Sequence, residues 1–491
     1  MLELSAEHFF YFVRMLMETV KKSKFKNATQ RSILAFQHVF AMFGATIVVP
    51  LLTGLSVPIG LLSAGIGTII FYFLTKKKVP VFLGSSFSYL PGMIAYMMSQ
   101  NAGAVGTESW QRAVGGLAPA IAITGLVYVI LSIVVKFVGM QRIKKLFPPV
   151  VVGPIIVVIG MVLAPKILYN NVIGLYANGV MDAWKAWTIA LATLISIVFV
   201  ATVSKEKSFF RVTPILIGFA VGIATTIFID IIELYALSGD IAKTIIFFKF
   251  TSVGAAANGI DWSQIVIFQN FGETFGFYKY LRLDLNAILL VSPIAFVAFM
   301  EHIGDINASS AVCGKDFTID PGINRTVLGD GLATISAAFL GAPPKTTYGE
   351  NTAVLAITQN YDPFNLFLAA IFASVLGFFS IFGNFTLTIP APVIGGASIV
   401  LFGMISASGL KTLISSRINM NNTKNMIIVS VIMSLGLGLA ALSLVGDITG
   451  DSIYKVVIGN VEISPLAICA LVGVVLNLVL PDRQKAISTI D

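Results

Sequence analysis

Charge is what this 491-residue chain has least of: Asp, Glu, Lys and Arg make up 11% of it, against a hydrophobic share of 56%. Soluble domains carry about 25% charged residues, so one or two soluble domains are excluded, and a mean hydropathy of +0.90 indicates a polytopic membrane protein. The three histidines are scattered, and the two cysteines, Cys313 and Cys469, lie far apart in or beside apolar runs. Neither a disulfide framework nor a metal-ligand spacing can be built from them. A phosphate loop is missing too, because Gly314-Lys315 is followed by Asp316 and lacks the upstream glycine. The chain is therefore not read as an enzyme, and no cofactor or metal is expected. No selectivity-filter motif suggests a channel.

What is present is a series of apolar runs long enough to span a bilayer, about 20 residues each. Twelve can be placed between residues 31 and 481, and two further segments, 80–98 and 343–359, are apolar but short or broken by Pro and Gly. The expectation is an all-α polytopic membrane protein of fourteen transmembrane segments, with the third and tenth discontinuous, part strand and part helix. The net charge of +8 does not indicate nucleic acid, because the basic residues cluster in short segments between apolar runs. Counted alternately, most of the 32 lysines and arginines fall on one side, which places both termini in the cytoplasm of a cell-membrane protein. Residues 1–30 read as an amphipathic helix on the inner surface or as a frayed tail, and 482–491 as a cytoplasmic tail. The hydrophilic stretch 236–286 reads as an extracellular loop with extended structure around Ile265 to Phe268.

An internal repeat is visible. Pro149-Val150 through Gly160-Met161 matches Pro392-Val393 through Gly403-Met404 without a gap, and Pro214 to Gly222 matches Pro465 to Gly473. Weaker echoes pair Gln37-His38 with Glu301-His302, and Ser85-Ser86-Phe87 with Thr346-Thr347-Tyr348. The unit is seven crossings, and an odd number forces the second copy upside down, a 7+7 inverted repeat. In such a fold the site lies near the midplane, where the broken segments meet.

The segment Gly341 to Asn351 is one of these. Pro343 and Pro344 remove backbone donors, and Glu350 carries a charge that is costly at membrane depth, so the segment must line a cavity or be covered by protein. Glu301, Asp305 and Ser309 follow at i, i+4 and i+8 on one helical face beside small Gly304 and Ala308. Glu301 is the stronger functional candidate. A solvated role near the cytoplasmic end is equally open for Asp305, while for Glu350 helix capping is the lesser alternative to serving a ligand. Tyr348 and Phe87 are candidate stacking surfaces for a planar ligand. Two carboxylates with aromatics suit a neutral planar molecule with ring N–H donors, and burial would let one carboxylate carry a proton near neutral pH. Asp330, flanked by Gly329 and Gly331, is a further buried acid or a loop residue.

Met300-Glu-His-Ile-Gly304, Phe82-Leu-Gly-Ser-Ser-Phe87, Asp320-Pro-Gly-Ile-Asn-Arg325 and Thr346-Thr-Tyr-Gly-Glu-Asn351 together resemble the nucleobase-ascorbate transporter family, nucleobase:cation symporter 2, over residues 31 to 481. The likeness is strongest to its bacterial uracil carriers. The resemblance implies a core domain of spans 1–4 (31–147) and 8–11 (287–388), and a gate domain of spans 5–7 (148–235) and 12–14 (389–481). It implies that Glu301 and Glu350 hydrogen-bond a uracil ring, that Phe87 and Tyr348 pack on it with Ser86 alongside, and that the Gly349 backbone meets a carbonyl. The proton-linked group is drawn from Glu301, His302 and Asp305. Partners implied are the nucleobase, protons, the lipid bilayer and a second copy in a homodimer, with no nucleic acid. The chain departs from the family pattern at Ala353, where it has glycine, and at Gln359. Asp305 stands where its uracil carriers often have histidine. Glu350, in place of a glutamine common in xanthine and urate carriers, favours uracil. A purine nucleobase carrier is the nearer alternative and an anion transporter of the same fold the more distant one.

Overall fold

The computed structural model describes residues 31–139, 148–205, 208, 210, 213–238, 271–378, 388–449, 452–454, 456–458 and 461–481. The amphipathic segment 1–30, the tail 482–491 and the extended structure expected around Ile265 to Phe268 lie outside them. The long apolar runs fold as helices because, without water, each backbone N–H and C=O must be satisfied within its own segment. In order these are α1 (Arg31–Thr53) and α2 (Val57–Leu74), then strand β1 (Leu83–Ser85) leading through a 3-10 turn (Phe87–Tyr89) into α3 (Leu90–Ser99). The first half continues with α4 (Glu108–Val138), α5 (Pro149–Leu168), α6 (Ala183–Val203) and α7 (Pro214–Ile232). The second half holds α8 (Leu285–Val291), α9 (Ala295–Cys313), α10 (Ile323–Phe339), strand β2 (Lys345–Thr347) and α11 (Gly349–Thr358). It ends with α12 (Pro363–Phe378), α13 (Ala391–Ser415), α14 (Thr423–Thr449), the short strands β3 (Val457–Ile458) and β4 (Val461–Glu462), and α15 (Pro465–Val479).

Local chemistry sets several boundaries. Thr107 caps α4 by accepting from the Trp110 amide, Asp284 caps α8 by accepting from Asn286 and Ala287, and Pro149 at the start of α5 gives up only an amide that has no helical partner there. Gly314, with φ 63°, ends α9 in the left-handed conformation.

Among the described residues nine helical segments are long and apolar enough to cross a membrane, with α8 and α9 forming one of them, and α12 and α15 are shorter apolar helices. The protein is thus predominantly helical and multi-pass. The helices pack in two sets: α10 lies against α4 and α2, and α12 against α2, while α13 lies against α5 and α6, α7 against α6, and α14 against α5 and α15. Where α5 meets α13 the approach is close enough to require glycine. A methyl group built on Gly409 would stand 2.6 Å from the Gly153 carbonyl oxygen, and one on Gly160 would stand 2.3 Å from that of Phe402. Early residues of α5 therefore face late residues of α13, so the two helices run antiparallel.

Candidate functional site

The two Pro- and Gly-broken segments meet face to face. β1 pairs antiparallel with β2, Leu83 opposite Thr347, Gly84 opposite Thr346 and Ser85 opposite Lys345. The ladder is extended by Ser86 N–H donating to the Pro344 carbonyl (2.9 Å) and Tyr348 N–H to that of Phe82 (3.1 Å). Neither strand could exist alone at membrane depth, and their mutual pairing satisfies the backbone that the prolines free from helix. Each strand then enters a short helix, β1 into α3 and β2 into α11, so the leading amides of both helices rise from the same ladder. Gly84 is required here: a methyl group on it would fall 2.1 Å from the Tyr348 ring. That ring lies on the β1 backbone, and its hydroxyl donates to the Ser85 carbonyl (2.8 Å).

The polar face of α9 runs along this ladder, and each of its three residues is tied to a hydroxyl of a broken segment. Glu301 Oε2 accepts from Ser88 Oγ at 2.6 Å, Asp305 Oδ2 accepts from Thr347 Oγ1 at 2.7 Å, and Ser309 Oγ lies 2.9 Å from Thr352 Oγ1. The i, i+4, i+8 spacing carries this arrangement, since those positions share one face of a helix. The remaining surface is open. Glu301, Asp305, Glu350 and Phe87 are half-buried while Gly304 and Gly349 are exposed. A methyl group on Gly304 would meet nothing within 4 Å, and one on Gly349 would meet only Asp305 Oδ1 at 3.9 Å. Glu301 and Asp305 both lie within electrostatic reach of Glu350. Among the described residues no Lys or Arg forms an ion pair with any of the three carboxylates, and no group of acidic, His or Cys residues has the geometry of a metal site. Phe87 sits where three apolar clusters converge, touching residues of both helix sets.

The structure thus brings Glu301, Asp305, Glu350, Gly349 and Phe87 to one open region. It does not bring Tyr348, His302 or Ser86 there in the expected way. Tyr348 is 3% exposed, with its ring packed on the Gly84 backbone behind the ladder. His302 is wholly buried, held by Asp330 and Thr326. Ser86 is wholly buried, and among the described residues its hydroxyl has no hydrogen-bond partner. Ser88, Thr347 and Thr352 are not among the residues that the sequence singles out. Their signal was available: each is a hydroxyl residue beside a singled-out residue of a broken segment. Lys345 is not singled out either. It is fully buried in β2 and donates through Nζ to the Gly60 carbonyl (3.2 Å) and Ser85 Oγ (3.1 Å), so it binds α2 and β1 together behind the ladder.

Comparison with known proteins bears on what such a site serves. The permease family model Xan_ur_permease matches residues 29–445. The uracil permease of Bacillus caldolyticus is 37% identical over 455 residues, covering 92% of each chain. The probable uracil permease of Haemophilus influenzae is 35% identical over 460 residues, 93% of this chain and 96% of the relative. Among solved structures, the transmembrane domain of the cyanobacterial bicarbonate transporter BicA aligns with a TM-score of 0.54 at 14% identity, covering 86% of this chain and 98% of the other. At that identity the likeness is one of fold.

Proposed function

This chain belongs to that permease family, and from that premise we propose that it is a secondary active transporter that takes up uracil across the cell membrane in symport with protons. The observation that carries the reading is the convergence of Glu301, Glu350 and the exposed amide end of α11 on one open region. Uracil is planar, with two ring N–H donors and two carbonyl acceptors. Glu301 and Glu350 accept from the N–H groups, the Gly349 amide donates to a carbonyl, and Phe87 covers a ring face. The names of the relatives supply the substrate, and the donor and acceptor set suits it. A purine carrier would use the same elements. An anion carrier is disfavoured because a region with three carboxylates and no paired cation repels an anion.

Three carboxylates sharing one region cannot all stay ionised without cost, so one of them holds a proton. Glu301 and Asp305, neighbours on α9, are the carriers in this reading, and uptake is coupled through them. Fourteen crossings follow if α10 and the two strand-helix segments are added to the nine long spans and two shorter helices. The antiparallel packing of α5 on α13, the helices that carry the repeated Pro-Val-Gly pattern, supports a 7+7 inverted arrangement. The set containing α1 to α4 and α8 to α12 then acts as the core and the other as the gate, with both termini in the cytoplasm and a homodimer as the working form. Labelled-uracil uptake in cells lacking their own permease tests the reading. Uptake that collapses on dissipation of the proton gradient is expected. Uptake indifferent to the gradient would remove proton coupling, and no uptake at all would remove the substrate.

A further inference from the structure

β1 and β2 are clamped to neighbouring helices in the same way. Thr68 of α2 accepts the Leu83 N–H at 2.9 Å, and its Oγ1 lies 3.3 Å from the Leu83 carbonyl oxygen. Thr334 of α10 accepts the Lys345 N–H at 3.1 Å, and its Oγ1 lies 3.2 Å from the Lys345 carbonyl oxygen. Leu83 and Lys345 thus hold equivalent places in the two strands, and in the first a leucine suffices. A fully buried lysine in the second is costly unless its nitrogen finds acceptors. It finds them on two other elements. Its stem passes Gly67 of α2, where a Cβ would stand 3.6 Å from Lys345 Cγ, and Nζ donates to the Gly60 carbonyl (3.2 Å) and to Ser85 Oγ (3.1 Å). An amine and an ammonium both have hydrogens for two acceptors, so these ties hold in either state.

The two hydroxyls that follow these residues in the ladder are used differently. Thr347, two residues after Lys345, gives its hydroxyl to Asp305 at 2.7 Å, while that of Ser85, two residues after Leu83, is held by Lys345. Ser85 is thereby gripped at two atoms, since its carbonyl also accepts from the Tyr348 hydroxyl at 2.8 Å. The next amide, that of Ser86, is fixed on the Pro344 carbonyl. Ser88 then lies three residues beyond Ser85, inside the Phe87–Tyr89 turn, and meets Glu301 Oε2 at 2.6 Å.

We propose that Lys345 is a positioning residue for the transport site: by holding Ser85 it fixes the start of that turn, and with it the place from which Ser88 bonds Glu301. What it transmits is distance. Hydroxyl hydrogen bonds span about 2.5–3.0 Å, so a displacement of Ser88 by about half an ångström takes the contact out of that range.

This inference rests on the transport reading, and the test separates the two. Uracil binding to the full-length protein is titrated for wild type, Lys345→Met, Ser85→Ala, Ser88→Ala and their pairs. Melting temperatures are taken without ligand, and uptake in proteoliposomes gives KM and the maximal rate. Methionine keeps the length of the stem and removes the donor. Lys345→Met should weaken uracil binding roughly fivefold to tenfold, the effect of one lost hydrogen bond, and raise KM alike with the maximal rate within about threefold of wild type. Ser85→Ala cuts the same tie from its other end and should match it, and it decides the question should Lys345→Met fail to fold. Because both act through Ser88, adding either to Ser88→Ala should weaken binding by no more than about twofold further. A lowered melting temperature with uracil affinity unchanged would leave Lys345 a brace of the fold and overturn the proposal. Losses that multiply with that of Ser88→Ala would overturn it as well. Wild type that does not bind uracil refutes the transport reading and this inference with it.

Discussion

In the proposed site, Glu301 is a carboxylate on a spanning helix held for use by a neighbouring hydroxyl. Its carboxylate has one oxygen fixed by Ser88 at 2.6 Å while the residue stays half-buried on the open face. A hydrogen bond to a charged group contributes about 1.5–3 kcal/mol, so Ser88→Ala should weaken uracil binding by roughly tenfold with little change in expression. A titration of purified protein checks this. Glu301→Gln replaces an acceptor by a group that turns a donor toward the ring, and Glu350→Ala removes an acceptor outright. A site built to bond a substrate N–H discriminates strongly against loss of the partner group, so uptake should fall at least a hundredfold in either variant with the protein still in the membrane. A surface residue gives the contrast. Lys78 donates a hydrogen bond to Asp320 and holds its carboxyl below the usual carboxylate range. A lowered folded value means that this pair contributes above the unfolded pKa of about 4 and loses its contribution as pH falls through the lower folded value. Between pH 5 and 8 Asp320→Asn should therefore leave the pH profile of uptake where it was.

At the scale of elements, the helices were legible because each spanning segment must be apolar throughout and must satisfy its own backbone. The breaks were legible for the same reason: Pro343 and Pro344 cannot continue a helix, and Glu350 cannot face lipid. The polar stripe of α9 followed from helical spacing alone. What stayed hidden were facts of facing. Nothing in the order Tyr348-Gly349-Glu350 says that the tyrosine turns inward onto Gly84 while the glycine beside it turns outward. His302 could have been set apart from Glu301 by counting rotation, but its partner Asp330 comes from another helix and no local pattern announces it. Gly84 tests the ladder. A Cβ there would stand 2.1 Å from the Tyr348 ring, so Gly84→Ala should destabilise the protein by at least about 2 kcal/mol through overpacking, read as a lowered melting temperature in detergent. Gly409→Ala should do likewise by pushing α13 off α5, since its Cβ would meet the Gly153 carbonyl oxygen at 2.6 Å.

For the whole molecule, the two sets of helices meet at the site. Phe87 contacts apolar clusters belonging to both, and the carboxylates of α9 stand beside the amide end of α11. A ligand bound there would touch the moving boundary of the proposed core and gate, as alternating access requires. The family, the multi-pass architecture and the nucleobase rest on the relatives and the helices, while the proposed way of holding it rests on Glu301 and Glu350. The most direct measurement is a thermal-stability panel on purified wild type, Glu301→Gln and Glu350→Ala, each with uracil, xanthine and sulfate. Saturable stabilisation of the wild type by uracil, absent in both variants, is the predicted result. Stabilisation by xanthine or sulfate alone, or by uracil equally in all three proteins, would contradict it.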